Sequence, residues 1–241
     1  MAEIVCTLDG ADKIAAVTRE CDYPPILKNK SRVGSFSSPD LEKIISLEPD
    51  YIFLSGLEQE VIKNKLNKLN TRVYQFYPTS VDTLLHTFKK IGKLINKERK
   101  ADSLINYFNS ELANIPIPEE KPKVFFEVYK NPIMTVSAES FVGDVINKSG
   151  GKNAFVELAR DYCRIPAERV IEANPDIIII SYPGINKKEV KERSGWETIE
   201  AIQNDRIYTR NDLDIETIIR AGPRTIKGIK TLNRIFENYE K

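Results

Sequence analysis

Residues 41–55 read LEKIISLEPDYIFLS and residues 167–181 read AERVIEANPDIIIIS. Aligned without a gap, Glu42 meets Glu168, Ile45 meets Ile171, Pro49-Asp50 meets Pro175-Asp176 and Ser55 meets Ser181. A repeat at this separation means one supersecondary unit used twice. In each copy a short helix is expected, started after Pro39 with Ser37 or Ser38 as N-cap, or by Pro166. It must stop near Pro49 or Pro175, because a residue before proline is driven out of the helical region. Tyr51–Leu54 and Ile177–Ile180 then form unbroken apolar runs, the pattern of a strand covered on both faces in a parallel sheet.

The echo extends outward. Arg72-Val73-Tyr74 and Arg206-Ile207-Tyr208 read as the next strands, with helical stretches Glu58–Leu69 and Lys187–Ile202 between. Alternating helix and strand gives an α/β fold: two Rossmann-like lobes with parallel sheets. Between them Val81–Ile115 carries apolar residues at helical spacing, divided at Asn96-Lys97 and ended by Pro116 and Pro118. Its second half would span roughly 25–30 Å and act as a stiff strut, a long backbone helix; its first half packs on a lobe. The reading is thus an N-terminal lobe over 1–96, a linker helix over 97–116 and a C-terminal lobe over 117–241.

Composition narrows the chemistry. The chain has 241 residues, 36 Lys plus Arg against 35 Asp plus Glu, and a formal charge of +1, so a broad nucleic-acid surface is not expected. No apolar run is long enough to cross a bilayer. There is one histidine, His86, which cannot build a His-cluster metal site and sits on an exposed-looking helix face. Cys6, Cys21 and Cys163 form no C-x-x-C and read as small buried hydrophobes. No nucleophile elbow, P-loop or dinucleotide fingerprint is present. No catalytic residue, metal site or cofactor is expected, and the protein is not read as an enzyme.

Parallel sheets bind ligands beyond the carboxyl ends of their strands, so two lobes offer two sets of loops: Tyr23–Phe36, Ser55–Leu57, Tyr77–Thr79, Tyr162–Arg164, Ser181–Gly184 and Thr209–Arg224. Those loops carry Tyr23, Phe36, Tyr77, Tyr162 and Tyr182, with Trp196 just beyond; Tyr23 and Phe36 stand out because turn residues flank them. Arg220 and Arg224 flank Ala-Gly-Pro; a guanidinium there meets a ligand amide, carboxylate or phosphate, or else serves a helix end or an ion pair. Glu42 and Glu168 either favour their helix dipoles or stand as matched acidic knobs for a symmetric partner.

The runs VTRECDYPP and RVGSFSSPDLEKIISLEPDYI, with SGGKNAF at 149–155, GWETIEAI at 195–202 and RAGPR at 220–224, resemble the class III substrate-binding proteins of ABC importers, closest to the cobalamin-binding branch. The resemblance implies a corrinoid, cobalamin or a relative, in a cleft between the lobes, with Tyr23, Phe36, Ser55, Tyr162, Trp196 and Arg220 facing it. It implies that Glu42 and Glu168 dock on an ABC permease dimer with its ATPase subunits. A monomeric, periplasmic or extracellular carrier follows, with a lipid anchor as one option and no signal sequence in this chain. A ferric-siderophore or haem receptor of the same fold is the alternative; a bilobal tetrapyrrole chelatase would want a cluster of His or carboxylates. Family members begin with a strand before the E-I-V segment, so the first lobe is expected to lack that strand here.

Overall fold

The computed structural model describes residues 1–56, 60–67 and 71–239. The chain forms two compact units. The first comprises Met1–Pro78 and Thr83–Tyr107, the second Thr79–Asp82 and Phe108–Lys241. The division therefore falls inside a helix rather than on either side of a separate linker.

The first unit begins with helix α1 (Ala2–Thr7) and two short parallel strands, β1 (Ala16–Val17) and β2 (Ser31–Arg32). Helix α2 (Leu41–Ser46), strand β3 (Ile52–Ser55), helix α3 (Glu60–Asn67) and strand β4 (Val73–Phe76) follow. The expected helix at 58–69 is present over its described part; Leu57 and Leu69 lie outside the described residues. The N-cap of α2 is Asp40, whose Oδ1 accepts from Lys43 N–H at 3.0 Å, not Ser37 or Ser38. A carboxylate there satisfies an orphan N–H and meets the positive end of the helix as well. β3 and β4 pair in parallel as a two-stranded sheet separate from β1–β2. Among the described residues β3 is therefore paired along one edge.

Helix α4 (Val81–Leu94) buries Leu84, Leu85, Phe88 and Ile91. Nearly all of it belongs to the first unit, the packing role its sequence suggested. Asn96, at φ 55°, breaks the chain before α5 (Glu98–Ala113). α5 is one continuous helix that crosses from the first unit to the second at Tyr107 and Phe108.

The second unit holds strands β5 (Lys123–Lys130), β6 (Ile133–Val136), β7 (Lys152–Asn153), β8 (Tyr162–Arg164), β9 (Ile177–Ile180) and β10 (Ile207–Tyr208). Its helices are α6 (Phe141–Lys148), α7 (Ala167–Ala173), α8 (Lys187–Lys191), α9 (Glu200–Gln203), α10 (Glu216–Ile219) and α11 (Thr225–Glu237). The sheet runs β10-β9-β5-β6-β8, with β7 also on β5. It is mixed rather than purely parallel, because Asn131-Pro132 closes a two-residue turn that returns β6 antiparallel to β5, and β8 then pairs antiparallel to β6. The expected long helix over 187–202 is cut at Gly195, whose φ of 81° lies in the left-handed region. A side chain there would be strained and would also meet Ile171.

The repeat holds in backbone as well as in sequence. Glu48 and Asn174, aligned partners, both take positive φ, 44° and 41°. Ile52 N–H donates to Arg72 O at 2.9 Å, and its counterpart Ile178 N–H donates to Arg206 O at 3.0 Å. The copies differ in burial. All four isoleucines of β9 are at most 1% exposed, whereas in β3 only Leu54 is buried. β9 lies between β10 and β5; among the described residues β3 has β4 alone.

Candidate functional site

In the first unit the chain between β1 and α2 is shaped by two side chains. Arg32 Nη1 donates to Thr18 O at 2.8 Å and to Cys21 O at 2.9 Å, drawing the ends of the Thr18–Arg32 loop together. Glu20 Oε2 accepts from Phe36 N–H at 2.9 Å, tying the second aromatic to the same loop. Past Pro24 the chain winds into a tight turn over Pro25–Asn29 that buries Leu27 completely. These ties leave Tyr23 44% exposed and Ile26 50% exposed, with Phe36 half-buried. Tyr23 and Phe36 thus share one braced loop system. Ser55 stands apart from it, half-buried at the carboxyl end of β3, opposite Phe76.

In the second unit the expected residues separate. Tyr162 lies not on a loop but on the edge strand β8, opposite Val136, and is 43% exposed. Arg220 ends α10 and pairs with Glu216, which also holds Arg210; Arg210 Nη1 in turn donates to Ser181 O at 2.7 Å. Two guanidiniums share one carboxylate at the carboxyl ends of β9 and β10, a cluster of net charge +1.

Trp196 corrects the sequence reading. It is 1% exposed in the core of this unit, edge-on to Phe125 at 6.0 Å, with the Arg193 guanidinium 4.4 Å from its ring centre. The tight turn at Gly195 rolls the indole inward, so it has no surface to offer a ligand. The three cysteines are likewise half-buried and free rather than buried.

Beside Trp196 lie Glu127 and Arg193, which sequence reasoning missed, and Tyr182, one of the aromatics of the Ser181–Gly184 loop. Glu127, near the end of β5, is completely buried and accepts from Arg193 through both oxygens, at 2.6 and 3.0 Å, and from Tyr182 Oη at 2.8 Å. Arg193 Nη2 also donates to Tyr182 Oη at 2.9 Å. Burial pushes the Glu127 carboxyl above its usual range, against the pull of the guanidinium and the phenol. Burial, then the Glu127 charge, hold the Tyr182 hydroxyl well above an ordinary phenol. The one signal in sequence was a lone acid inside the apolar run VFFEV.

Glu42 and Glu168 occupy the first turns of α2 and α7, both exposed. Neither makes an ion pair among the described residues. His86 is exposed on α4. Among the described residues no group of three or more His, Cys, Asp or Glu could hold a metal ion. No helix of the described residues is long and apolar enough to cross a membrane.

Comparison with known proteins places this geometry. A family described as periplasmic binding protein matches residues 1–213. An uncharacterised ABC transporter substrate-binding lipoprotein, YvrC, of Bacillus subtilis is 29% identical over 95% of this chain and 75% of its own. The vitamin B12-binding protein of Vibrio parahaemolyticus is 23% identical over 99% of this chain and 87% of its own. The crystal structure of a possible iron-binding (periplasmic solute-binding) protein from Staphylococcus epidermidis superposes with a TM-score of 0.83 and 27% identity, covering 99% of this chain and 95% of that one. The duplicated α/β unit, the helix shared by the two units and the match over most of the sequence make this chain a member of the periplasmic binding protein family, in its class III fold.

Proposed function

We propose that this protein is the substrate-binding component of an ABC importer that carries a corrinoid to its permease, outside the cytoplasm and without chemical change to the cargo. The observation that carries the reading is Tyr23. It is an exposed aromatic on a loop braced by Arg32 and Glu20, in a chain with a vitamin B12-binding relative. A large rigid ring held in place gives contact area to a flat, bulky ligand at little entropic cost. Phe36, Ser55, Tyr162 and Arg220 complete the set assigned to ligand contact. Glu42 and Glu168, exposed at matched positions and without an ion pair among the described residues, are assigned to docking on a permease dimer that works with ATPase subunits. The protein acts as a monomer, and a lipid anchor agrees with the lipoprotein relative.

A ferric-siderophore or haem cargo is the second reading, favoured by one observation. The Arg210–Glu216–Arg220 cluster places excess positive charge at the carboxyl end of the second sheet, which suits a ligand carboxylate. An absorbance titration decides between them. Saturable binding of cyanocobalamin, weakened at least tenfold by Tyr23→Ala, supports the first reading. Binding of haemin or a ferric siderophore with none of cyanocobalamin moves the assignment to the second.

A further inference from the structure

Among the described residues Glu127 is the only charged side chain in the buried class. A fully buried ion pair is expensive, and an apolar pair of similar volume usually serves stability as well. The two side chains it binds both come from one excursion of the chain, between β9 and β10. Tyr182 follows directly on Ser181, whose N–H and Oγ both bond to Glu127 O, at 2.9 and 3.1 Å. Arg193 lies midway along it, stacked on Trp196. One residue of β5 therefore pins the start and the middle of the segment that leaves the carboxyl edge of the sheet.

The geometry fixes Tyr182 closely. Its hydroxyl gives its proton to Glu127 and takes one from Arg193, so rotation of the ring off this position breaks two charge-assisted bonds. Tyr182 packs against the core cluster and is half-buried. Both hydrogen-bonding capacities of the oxygen are used inward. Tyr182 thus stands half-buried just past the carboxyl end of a central strand, the side on which parallel sheets take ligands.

We infer that Tyr182 is the ligand-contacting aromatic of the second unit, the role Trp196 cannot fill, and that Glu127 is its positioning residue. This rests on the carrier reading above and adds that the ligand presents a flat or apolar surface to the second unit. Arg193 closes the fork and links the loop to the indole behind it.

The test uses the whole chain with Tyr182→Phe, which removes the hydroxyl and keeps the ring, Tyr182→Ala, and Glu127→Gln. Hydrogen exchange is read without ligand, and the binding probes are cyanocobalamin and haemin. Tyr182→Phe is expected to speed exchange of the amides of Tyr182, Gly184, Ile185 and Asn186 by at least about tenfold, through the loss of its two charged hydrogen bonds, while residues 177–180 keep their wild-type rates. The bound probe is expected to leave about tenfold faster from Tyr182→Phe, and Tyr182→Ala to bind at least thirty-fold more weakly, a loss on the order of 2 kcal/mol. Glu127→Gln, if folded by circular dichroism, should match Tyr182→Phe in both readouts. Wild-type exchange in Tyr182→Phe overturns the positioning role, and wild-type affinity in Tyr182→Ala overturns the contact. If the wild-type protein binds neither probe, the carrier reading for these ligands fails, while the exchange result still decides the positioning role.

Discussion

Replacing Trp196 with alanine separates a core role from a ligand role. The indole is 1% exposed, meets Phe125 edge-on at 6.0 Å and carries the Arg193 guanidinium on its face at 4.4 Å. A buried aromatic removes about 150–250 Å² from water. At roughly 25 cal/mol per Å² that is about 4–6 kcal/mol, of which alanine keeps a part, so the transfer and cavity cost is about 3–5 kcal/mol. Losing the stacked guanidinium adds about 1 kcal/mol. Trp196→Phe, which keeps a ring against Phe125, should lose about half as much. Trp196 is the only tryptophan, so unfolding is followed by far-ultraviolet circular dichroism in urea rather than fluorescence. The expected result is a midpoint shifted down by the equivalent of about 4–6 kcal/mol, with ligand affinity unchanged for the fraction that stays folded. A variant as stable as wild type to within about 1 kcal/mol, yet unable to bind, would put Trp196 at the ligand and refute this reasoning.

Three other predictions follow from the geometry. Amides of β3 should exchange with solvent faster than those of its repeat partner β9, since β3 is paired on one edge and partly exposed; equal protection would contradict this. Tyr182 and Tyr239 are both held above the ordinary phenol value of 10.0, by burial first and then by the Glu127 and Asp176 charges. A raised pKa stabilises the fold below the unfolded value, so stability should decline as pH rises beyond 10, by at most about 1.4 kcal/mol per pH unit for each tyrosine. Tyr182→Phe should flatten that decline. Charge reversal of Glu42 and Glu168 together should abolish capture by permease-containing nanodiscs and leave ligand affinity intact; undiminished capture would remove them from docking.

The repeat made much of the fold legible. Proline placement and unbroken apolar runs fixed α2, β3, α7 and β9, and the paired Arg-aliphatic-Tyr segments marked β4 and β10. The division at Asn96 was readable because the apolar spacing changes phase there. The mixed part of the second sheet was not, since Tyr162-Cys163-Arg164 has no strand pattern and is specified by its partner β6. The α2 cap is Asp40 rather than Ser37 or Ser38 because the helix begins two to three residues later than Pro39 suggested, a boundary that only backbone geometry sets. In the site, exposure was the missing quantity. Tyr23 and Trp196 both sit beside turn residues, yet Arg32 braces one outward and Gly195 turns the other into the core. Glu127 bonds to residues 55 and 66 positions away, a separation that no local pattern encodes.

Native mass spectrometry of the protein after incubation with an equimolar mixture of cyanocobalamin, haemin and a ferric catecholate siderophore addresses the carrier assignment most directly. The account predicts a complex of one protein with a single kind of ligand, whose mass is unchanged on release. Protein that emerges bare from the mixture, or a ligand returned with altered mass, would contradict it.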